Sequence, residues 1–323
     1  MTNASRRHRR TPNALFLGVD GGGTKTLSVI FSAAGEKLSE DTAGPSNPLR
    51  VGLKPAADTI IESAVRACDK LGRTTGGIVS CVAGLAGVRR GDLRLGMRRL
   101  IGERLSGAEV SVVTDAEIAL LAATGGEPGV VVIAGTGSIV FGKNGKGRTA
   151  TAGGWGPIAG DEGGAVSIAR EALRAVARAS DGRGPATALS ALAADYFRAS
   201  SAEDLIVAIY SPQMTYTRLA AFAARVTKAA MEGDLVAARI ICEAGKELGA
   251  AACAVIRTLR MTRADLRIGT VGGVFNAGDL LRRPLLETVH KCAPKAHFVD
   301  PVSTPAEAAA TLAVRRRYQS PSL

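Results

Sequence analysis

The chain has 323 residues and a formal net charge of +12, and 46% of its residues are hydrophobic. This length predicts roughly two domains with a substantial core, and this composition is ordinary for a soluble globular protein. The first dozen residues, with arginines clustered at positions 6–10, lack the apolar core of a signal peptide, and no apolar run approaches the length of a membrane span. We therefore expect a cytoplasmic protein without a membrane partner, with a disordered basic tail over residues 1–12.

The positive charge does not by itself indicate a nucleic-acid partner. Part of it lies in two chain ends, at positions 6–10 and 315–317, and aromatic residues make up only 4% of the chain. Without a stacking platform or a helix-turn-helix pattern, this charge is typical of solvated basic tails. The five cysteines, at positions 68, 81, 242, 253 and 292, form no Cys-x-x-Cys pair. They are typical of small buried side chains in a reducing compartment.

The stretch 15–31, LFLGVDGGGTKTLSVIF, predicts a strand, a glycine turn and a second strand. Consecutive glycines lack Cβ atoms, so the N–H groups of the first glycine turn (residues 21–25) can approach a bound anion, and phosphate is the expected one. Asp20 precedes the turn, where its carboxylate could hold Mg²⁺ directly or through water. The alternative is a glycine-rich hairpin in which Asp20 only caps the turn.

Two commoner phosphate-binding motifs are excluded here. A P-loop has Gly-Lys-Ser/Thr entering a helix, whereas here Lys25 follows Thr24 and the chain continues as an alternating strand. A dinucleotide-binding fingerprint needs a third glycine where Thr26 stands, and a helix after it.

Strands and helices alternate over the next ninety residues, which predicts an α/β layer structure. The expected elements are a third antiparallel strand at 36–42, a loop at 44–48, a helix at about 55–71, a buried strand at 78–83, a helix at 92–105, a strand at 109–114 and a helix at 116–123. Asp115 lies at the end of the last of these strands. Ligand-facing side chains in α/β sheets favour such positions, but an Asp before a helix is also a favoured N-cap, and both interpretations stay open.

The chain then repeats its opening pattern. A buried strand at 129–134 is followed by the second glycine turn (residues 135–138), a strand at 139–142, and a turn at 143–147 that leads into another strand. Two such hairpins more than a hundred residues apart predict two domains of related design, each presenting a phosphate-binding turn to a shared cleft.

A glycine-rich run (residues 152–164) follows and contains the only tryptophan, Trp155. An isolated Trp is more often a core residue than a ligand contact, but this setting does not resemble a packed element. Asp161 precedes a long helix at about 162–179, and its alternative is again a helix cap. The later elements are helices near 188–198, 216–231 and 234–260, a strand at 266–271, the third glycine motif (residues 272–275), a helix at 276–290 and a terminal helix at 305–317. The third glycine motif suits an adenine or ribose contact.

Together these motifs resemble the sugar-kinase/hsp70/actin ATPase superfamily, and within it the N-acetylglucosamine kinase-like members of the BadF/BadG/BcrA/BcrD group. The resemblance spans about residues 15–314 and is carried by the runs GVDGGGTKT, GPSNP, AGLAG, TDAEIALLAA, AGTGS, GGWGPIAGDEGG and VGGVF. It implies an α/β fold of two actin-like (ribonuclease H-like) domains with an interdomain cleft. We expect residues 13–122 plus 304–317 to form the N-terminal domain, with the final helix packed back on it, and residues 123–303 to form the C-terminal domain.

The resemblance also implies an activity: ATP-dependent phosphorylation of an amino sugar, N-acetylglucosamine or glucosamine, at the 6-hydroxyl. ATP and Mg²⁺ would be the cofactors, and kinases of this kind are often homodimers. The family's catalytic base maps onto Asp115, and Asp20 would hold the metal. The cofactor contacts map onto Asp20, Gly21, Gly22, Gly23, Thr24, Lys25, Thr26, Gly135, Thr136, Gly137, Gly272, Gly273 and Val274. The sugar contacts map onto Asn47, Ser138, Gly154, Trp155 and Asp161.

Two departures from the family pattern stand out. Related sequences often carry Pro-x-x-Gly-Ala in the last helix, whereas here Glu307 and Ala308 follow Pro305 and Ala306, so the helix lacks the glycine that permits a close backbone approach. Pro48 follows Asn47 where some members carry a larger or polar residue, which bears on the choice of sugar.

Two other functions fit the same superfamily. One is an ATP-driven activator of a 2-hydroxyacyl-CoA dehydratase, which would hold an iron-sulfur cluster through cysteines, but the five cysteines form no recognisable cluster motif. The other is a non-catalytic sugar sensor, which would keep the fold and lose the base. The presence of Asp20, Asp115 and Asp161 favours the kinase over the sensor.

Overall fold

The computed structural model of the chain describes residues 13–318, and the basic tail expected at 1–12 lies outside the described residues. Contacts divide the described chain into two compact units. The first comprises the residues up to Gly126 and those from Pro301 onward, and the second comprises Glu127–Asp300. Over the described range, no helix combines the length and the apolarity that crossing a membrane requires.

The first unit is built on a five-stranded sheet of order β3-β2-β1-β4-β5. The strands are β1 Leu15–Gly21, β2 Thr26–Phe31, β3 Lys37–Ala43, β4 Ile78–Leu85 and β5 Glu109–Thr114. The first three form an antiparallel meander, and β4 and β5 continue the sheet in parallel with β1. The expected strand at 78–83 runs on to Leu85, because its ladder with β1 extends as far as the pairing of Gly21 with Leu85.

Four helices of the first unit lie between or after these strands. Helices α1 Pro48–Val51 and α2 Leu53–Asp69 come between β3 and β4, α3 Gly91–Arg104 comes between β4 and β5, and α4 Asp115–Thr124 comes after β5. The loop expected at 44–48 ends one residue early, since Pro48 is the first residue of α1. Proline suits that position because its missing N–H would have had no partner there. Asn47 is the N-cap of α1, and its Oδ1 accepts a hydrogen bond from the Leu49 N–H at 2.9 Å.

The second unit has the same sheet design, with order β10-β9-β6-β7-β8. Its strands are β6 Gly129–Ala134, β7 Ser138–Lys143, β8 Thr149–Gly153, β9 Leu266–Val271 and β10 Ala296–Phe298. Strands β6 to β8 form an antiparallel meander, and β9 and β10 follow in parallel. The related design expected from the two glycine hairpins is therefore confirmed. The three-residue β10 was missed, because it is too short to show a period.

The second unit carries the helices α5 Ala165–Ser180, α6 Leu189–Phe197, α7 Ala202–Ile209, α8 Tyr216–Met231, α9 Leu235–Thr258 and α10 Asp279–His290. Three expectations need correction. Helix α5 begins at Ala165 rather than 162, because Gly163 has a φ of 77° that no helix permits. Helix α7 was not expected, and α10 begins at Asp279, after a 3-10 turn over Gly273–Ala277 and a Gly278 with φ 59°.

The last helix, α11 Pro305–Tyr318, belongs to the first unit and packs on its sheet, as expected. A Cβ on Gly18 of β1 would lie 2.2 Å from the Ala306 carbonyl oxygen and from the Ala310 nitrogen. The close approach of α11 to β1 therefore depends on Gly18 of the strand. This explains why α11 needs no glycine of its own. The basic residues 315–317 lie exposed on the last turn of α11, within the terminal helix expected at 305–317.

Candidate active site

The first glycine turn joins β1 to β2 and is held in place by hydrogen bonds that its carbonyl oxygens accept. The Gly22 N–H donates to the Lys25 carbonyl at 2.9 Å, and the Gly22 carbonyl accepts from the N–H groups of Ser46 and Asn47 at 3.0 and 3.1 Å. Among the described residues, no backbone carbonyl accepts from the N–H groups of Gly23, Thr24 or Lys25. The turn thus keeps three N–H donors without a backbone acceptor, the kind of donors that a phosphate-binding turn needs.

Thr26 has a different role from its neighbours in the turn. Its hydroxyl is buried and lies 2.7 Å from both the Gly44 carbonyl and the Ser46 Oγ, so it ties the turn to the loop before α1. A Cβ on Gly21 would overlap the same Ser46 Oγ, which is why glycine is needed there. Sequence reasoning missed Ser46, although the GPSNP run contains it. The Thr26 side chain is thus engaged inside the protein rather than turned toward a ligand.

Asp20 and Asp115 lie at the same end of the first sheet. Asp20 of β1 pairs with Gly84 of β4, and Gly84 pairs with Val113 of β5, two residues before Asp115. Burial and then the charge of Asp115 raise the pKa of Asp20 to about 6, against the opposing charge of Lys25. Burial also raises the pKa of Asp115. The sheet thus brings together two carboxylates that disfavour each other's ionisation.

Asp115 is not the N-cap of α4. The cap is Thr114, whose Oγ accepts from the Glu117 N–H at 3.3 Å, while the Glu117 Oε2 accepts from the Thr114 N–H at 2.7 Å. Asp115 is the first helical residue, and its Oδ1 accepts from the Ala116 N–H at 2.9 Å. Within the described range no side chain forms an ion pair or hydrogen bond with its carboxylate. The capping box therefore gives the N-cap role to Thr114, and the Asp115 carboxylate accepts only from backbone N–H groups of the first helical turn.

Asn47 is held by a glycine that sequence reasoning passed over. Gly87, in the AGLAG turn after β4, has a φ of 82°, and a Cβ there would lie 2.2 Å from the Asn47 Oδ1. The same oxygen also caps α1, so both the close approach of Gly87 and the hydrogen bond from Leu49 fix its position. The amide nitrogen of Asn47 has no partner among the described residues, which leaves it able to donate to a ligand.

The second glycine turn joins β6 to β7 at the N-terminus of α5. The carbonyls of Gly135 and Thr136 accept from the N–H groups of Ala165 and Val166 at 2.9 and 3.1 Å. With these carbonyls engaged, the N–H groups of Thr136 and Gly137 have no backbone acceptor in the described chain. This turn, like the first, can offer donors to an anion.

Asp161 fastens the second glycine turn to the glycine-rich run. Its Oδ1 accepts from the Gly156 N–H at 3.1 Å, and the Ser138 N–H also donates to the carboxylate. Burial raises the pKa of Asp161, and these two bonds oppose the rise. Asp161 has a φ of 62°, and α5 begins later, with Gly164 as its N-cap. Asp161 is therefore not a helix cap, so that alternative is wrong.

The other expected sugar contacts cluster around the same run. The Ser138 hydroxyl donates to the Glu162 carbonyl at 2.6 Å, and the Gly154 N–H donates to the Ser138 carbonyl at 2.9 Å. Trp155 follows with 71% of its surface exposed, so it is not a core residue. The glycine-rich run therefore carries an exposed indole at Trp155 and a buried carboxylate at Asp161.

A cavity of about 400 Å³ lies within the second unit, between the second glycine turn, α5, α8 and the third glycine motif. Its volume lies within the range of small-molecule sites. A Cβ on Gly272, which has a φ of 115°, would lie 2.2 Å from the Ala134 carbonyl oxygen, so only glycine lets the third motif reach the second turn. Sequence reasoning missed the wall from α8, whose only signal is a face of small side chains. The wall consists of Thr217, Ala220, Ala221, Ala223, Ala224 and Thr227.

These motifs match a known family model. The model of the BadF/BadG/BcrA/BcrD ATPase family covers residues 17–313 of the chain. The chain belongs to this family. It is 35% identical over 260 residues to the N-acetylmuramic acid/N-acetylglucosamine kinase of Clostridium acetobutylicum, covering 80% of this chain and 85% of that protein. It is 30% identical over 318 residues to the N-acetyl-D-glucosamine kinase of Dictyostelium discoideum, covering 94% and 98%.

The fold of this BadF/BadG/BcrA/BcrD family chain also matches solved structures. A candidate N-acetylglucosamine kinase from Chromobacterium violaceum has a TM-score of 0.72 and 26% identity, covering 93% of this chain and 99% of that one. The α/β fold of two actin-like (ribonuclease H-like) domains, expected from the resemblance, is confirmed.

The family is one of ATPases, and the residues present fit the Mg²⁺ expected with ATP. Among the described residues no group of three or more His, Cys, Asp or Glu side chains is placed to hold a metal ion. Mg²⁺ needs only one or two carboxylates when phosphate oxygens and water complete its shell. Asp20 supplies such an oxygen, and a cation beside it would oppose the effects of burial and of the Asp115 charge, which raise the pKa of Asp20 to about 6.

The cysteines of this family member are distributed over both units. Cys68, Cys81 and Cys253 are buried, as expected, whereas Cys242 and Cys292 are half-buried. The Sγ atoms of Cys253 and Cys292 lie 2.7 Å apart, so these two thiols are partners of each other.

Proposed function

We propose that the protein transfers the γ-phosphoryl group of ATP to the 6-hydroxyl of an amino sugar, N-acetylglucosamine or glucosamine, with Asp115 as the general base. Membership of an ATPase family and the amino-sugar kinases among its relatives support the two substrates. The observation that carries the proposal is the Asp115 carboxylate. It lies at the end of the sheet beside Asp20, its pKa is raised, and the Thr114–Glu117 capping box leaves it with no side-chain partner among the described residues.

Asp115 would accept the proton of the sugar hydroxyl as its oxygen attacks the γ-phosphorus. A general base works best when its pKa lies near the operating pH, and burial moves the pKa of Asp115 in that direction. Such a base contributes about 10²- to 10⁴-fold to the rate. We therefore assign Asp115 an effect on kcat rather than on KM.

The two glycine turns would bind the phosphates through backbone N–H groups, those of Gly23, Thr24 and Lys25 in the first unit and those of Thr136 and Gly137 in the second. Phosphoryl transfer depends on positioning and charge stabilisation rather than on a protein nucleophile, which suits such donors. When bound at Asp20, Mg²⁺ supplies further charge neutralisation on the phosphate oxygens.

The adenosine moiety would occupy the 400 Å³ cavity of the second unit, with Gly273 and Val274 along one wall and Gly272 directly before them in the chain. For the sugar, the free amide nitrogen of Asn47 would donate to a hydroxyl oxygen, and Trp155 would cover one face of the ring. Asp161, with Ser138 and Gly154 around it, would accept from a second hydroxyl. These contacts support an assignment to substrate binding, so their loss is expected in KM.

The test is ADP release from ATP and Mg²⁺ against N-acetylglucosamine, glucosamine, N-acetylmuramic acid and glucose. Wild type runs beside Asp115→Asn, with Asp69→Asn as a control because Asp69 is an exposed carboxylate of the same unit. We expect sugar-dependent release that falls about 10²- to 10⁴-fold in kcat in Asp115→Asn and is unchanged in the control. The 6-deoxy analogue of the accepted sugar should be inert.

Release that ignores every sugar and survives Asp115→Asn would contradict the kinase proposal. It would favour an ATPase acting on a protein partner, as in the dehydratase activators. The homodimer implied by the resemblance stays a prediction, which light scattering after size exclusion tests.

A further inference from the structure

One arginine is held against the first glycine turn. Arg50, the third residue of α1, donates from its Nη1 to the Gly23 carbonyl oxygen at 3.0 Å. A Cβ on Gly23 would lie 2.8 Å from the same Nη1, so the guanidinium rests directly on the turn. The start of α1 is itself fastened there, through the Ser46 and Asn47 N–H groups on the Gly22 carbonyl. The arginine is thus positioned from both its backbone and its side chain.

The guanidinium charge of Arg50 has no ion-pair partner among the described residues. None of the described carboxylates lies within ion-pair distance of it, whereas Arg66 on α2 pairs with both Asp41 and Glu62. A guanidinium has five N–H donors, and the Gly23 carbonyl occupies one of them. The side chain is exposed, so water could satisfy the Gly23 carbonyl equally well. Holding a full positive charge there is better explained by an anion that binds the turn.

We propose that Arg50 binds the terminal phosphate of ATP and stabilises the charge on the phosphoryl group during transfer, an inference that rests on the proposed function. Helix α1 has Asn47, the proposed sugar contact, at its start, and Arg50, which touches the phosphate turn, near its end. The phosphoryl group moves between those two ligands. Guanidinium suits the task because its planar fork binds two phosphate oxygens at once and stays protonated.

The step balances without a proton from Arg50. The bond from the γ-phosphorus to the β–γ bridging oxygen breaks, and a bond from the γ-phosphorus to the sugar oxygen forms. The hydroxyl proton goes to Asp115, and ADP leaves with the bonding electrons. Arg50 provides only hydrogen bonds and charge, so its contribution belongs to the terminal phosphate and not to ADP.

The experiment compares Arg50→Ala and Arg50→Lys with wild type. Lys54→Gln is the matched control, because Lys54 is an exposed cation four residues further along that no contact joins to the turn. For Arg50→Ala we expect kcat to fall about 10²-fold, as when one preorganised donor is removed from a transition state. The affinity for the non-hydrolysable analogue AMP-PNP should fall at least about tenfold while the affinity for ADP stays within about twofold.

Guanidinium chloride at low millimolar concentration should partly restore the activity of Arg50→Ala and leave wild type and Lys54→Gln unchanged. Arg50→Lys should lie between wild type and Arg50→Ala, because an ammonium keeps the charge and loses the fork. Melting temperatures check that each variant is folded.

Equal losses of ADP and AMP-PNP affinity, without rescue by guanidinium, would overturn the inference. Arg50 would then only stabilise the first glycine turn through its hydrogen bond to Gly23. Wild-type kcat in Arg50→Ala would overturn it as well. A wild type that phosphorylates no sugar would instead contradict the proposed function. The comparison of ADP with AMP-PNP needs no sugar turnover, so the two failures are distinguishable.

Discussion

Replacing Gly137 by alanine tests how the second glycine turn is assembled. A Cβ at Gly137 would lie 2.0 Å from the Asp161 Oδ2 and 2.7 Å from its Cγ, whereas ordinary contacts begin at 3.4 Å. The carboxylate must therefore move by more than an ångström. That movement takes it away from the Gly156 N–H, now at 3.1 Å, and from the Ser138 N–H.

The cost follows from those two bonds. A hydrogen bond to a charged group contributes about 1.5–3 kcal/mol, so losing both destabilises the second unit by about 3 kcal/mol or more. For a unit of this size each kcal/mol lowers the melting temperature by roughly 2–4 °C, which predicts a fall of about 6–12 °C. Displacing Asp161 should also raise the KM for the sugar about tenfold or more, since a displaced carboxylate loses its hydrogen bond to a hydroxyl.

Gly135→Ala is the control from the same turn. A Cβ at Gly135 meets nothing within 4 Å, so this variant should melt within about 2 °C of wild type. Thermal melting followed by circular dichroism, together with sugar titrations of the initial rate, gives both readouts. Equal melting temperatures for the two alanine variants would refute the role given to Asp161.

Three further predictions concern stability and nucleotide binding. Because the pKa of Asp20 is raised from 3.8 to about 6, its ionised form costs the folded state about 3 kcal/mol above pH 6, and this cost disappears below pH 4. In metal-free buffer, Asp20→Asn should therefore raise the free energy of unfolding at pH 8 but not at pH 3.5. The control Asp69→Asn should leave the free energy of unfolding unchanged at both pH values, and urea titrations measure it. Gly272→Ala should weaken AMP-PNP binding at least about tenfold, because its Cβ would overlap the Ala134 carbonyl and displace the neighbouring Gly273 and Val274, which line the cavity. An unchanged calorimetric affinity would count against the adenosine assignment. Gly18→Ala should lower the free energy of unfolding by about 3 kcal/mol, because its Cβ would overlap α11. The control Gly102→Ala, inside α3 with nothing within 4 Å of its Cβ, should raise it by up to about 1 kcal/mol. A change of the same sign in both variants would contradict the packing of α11 on β1.

The sequence by itself determined the local architecture. Strand β9 at Leu266–Val271 and helix α8 at Tyr216–Met231 have the bounds that periodicity predicts, because a period of two or 3.6 residues is set by the nearest neighbours in the chain. The duplicated hairpins follow from glycines placed between alternating strands. The family resemblance was also readable, since its motifs are short continuous runs.

Only the tertiary structure decided which residues meet and which are free. Whether Asp115 capped α4 depended on a competition with Thr114, since both residue types favour that position, and Glu117 decides it by completing a capping box with the threonine. Arg50 reaches Gly23, 27 residues earlier in the chain, and Gly18 meets a helix almost 300 residues later. No local period encodes such contacts, because they arise from the packing of whole elements against one another.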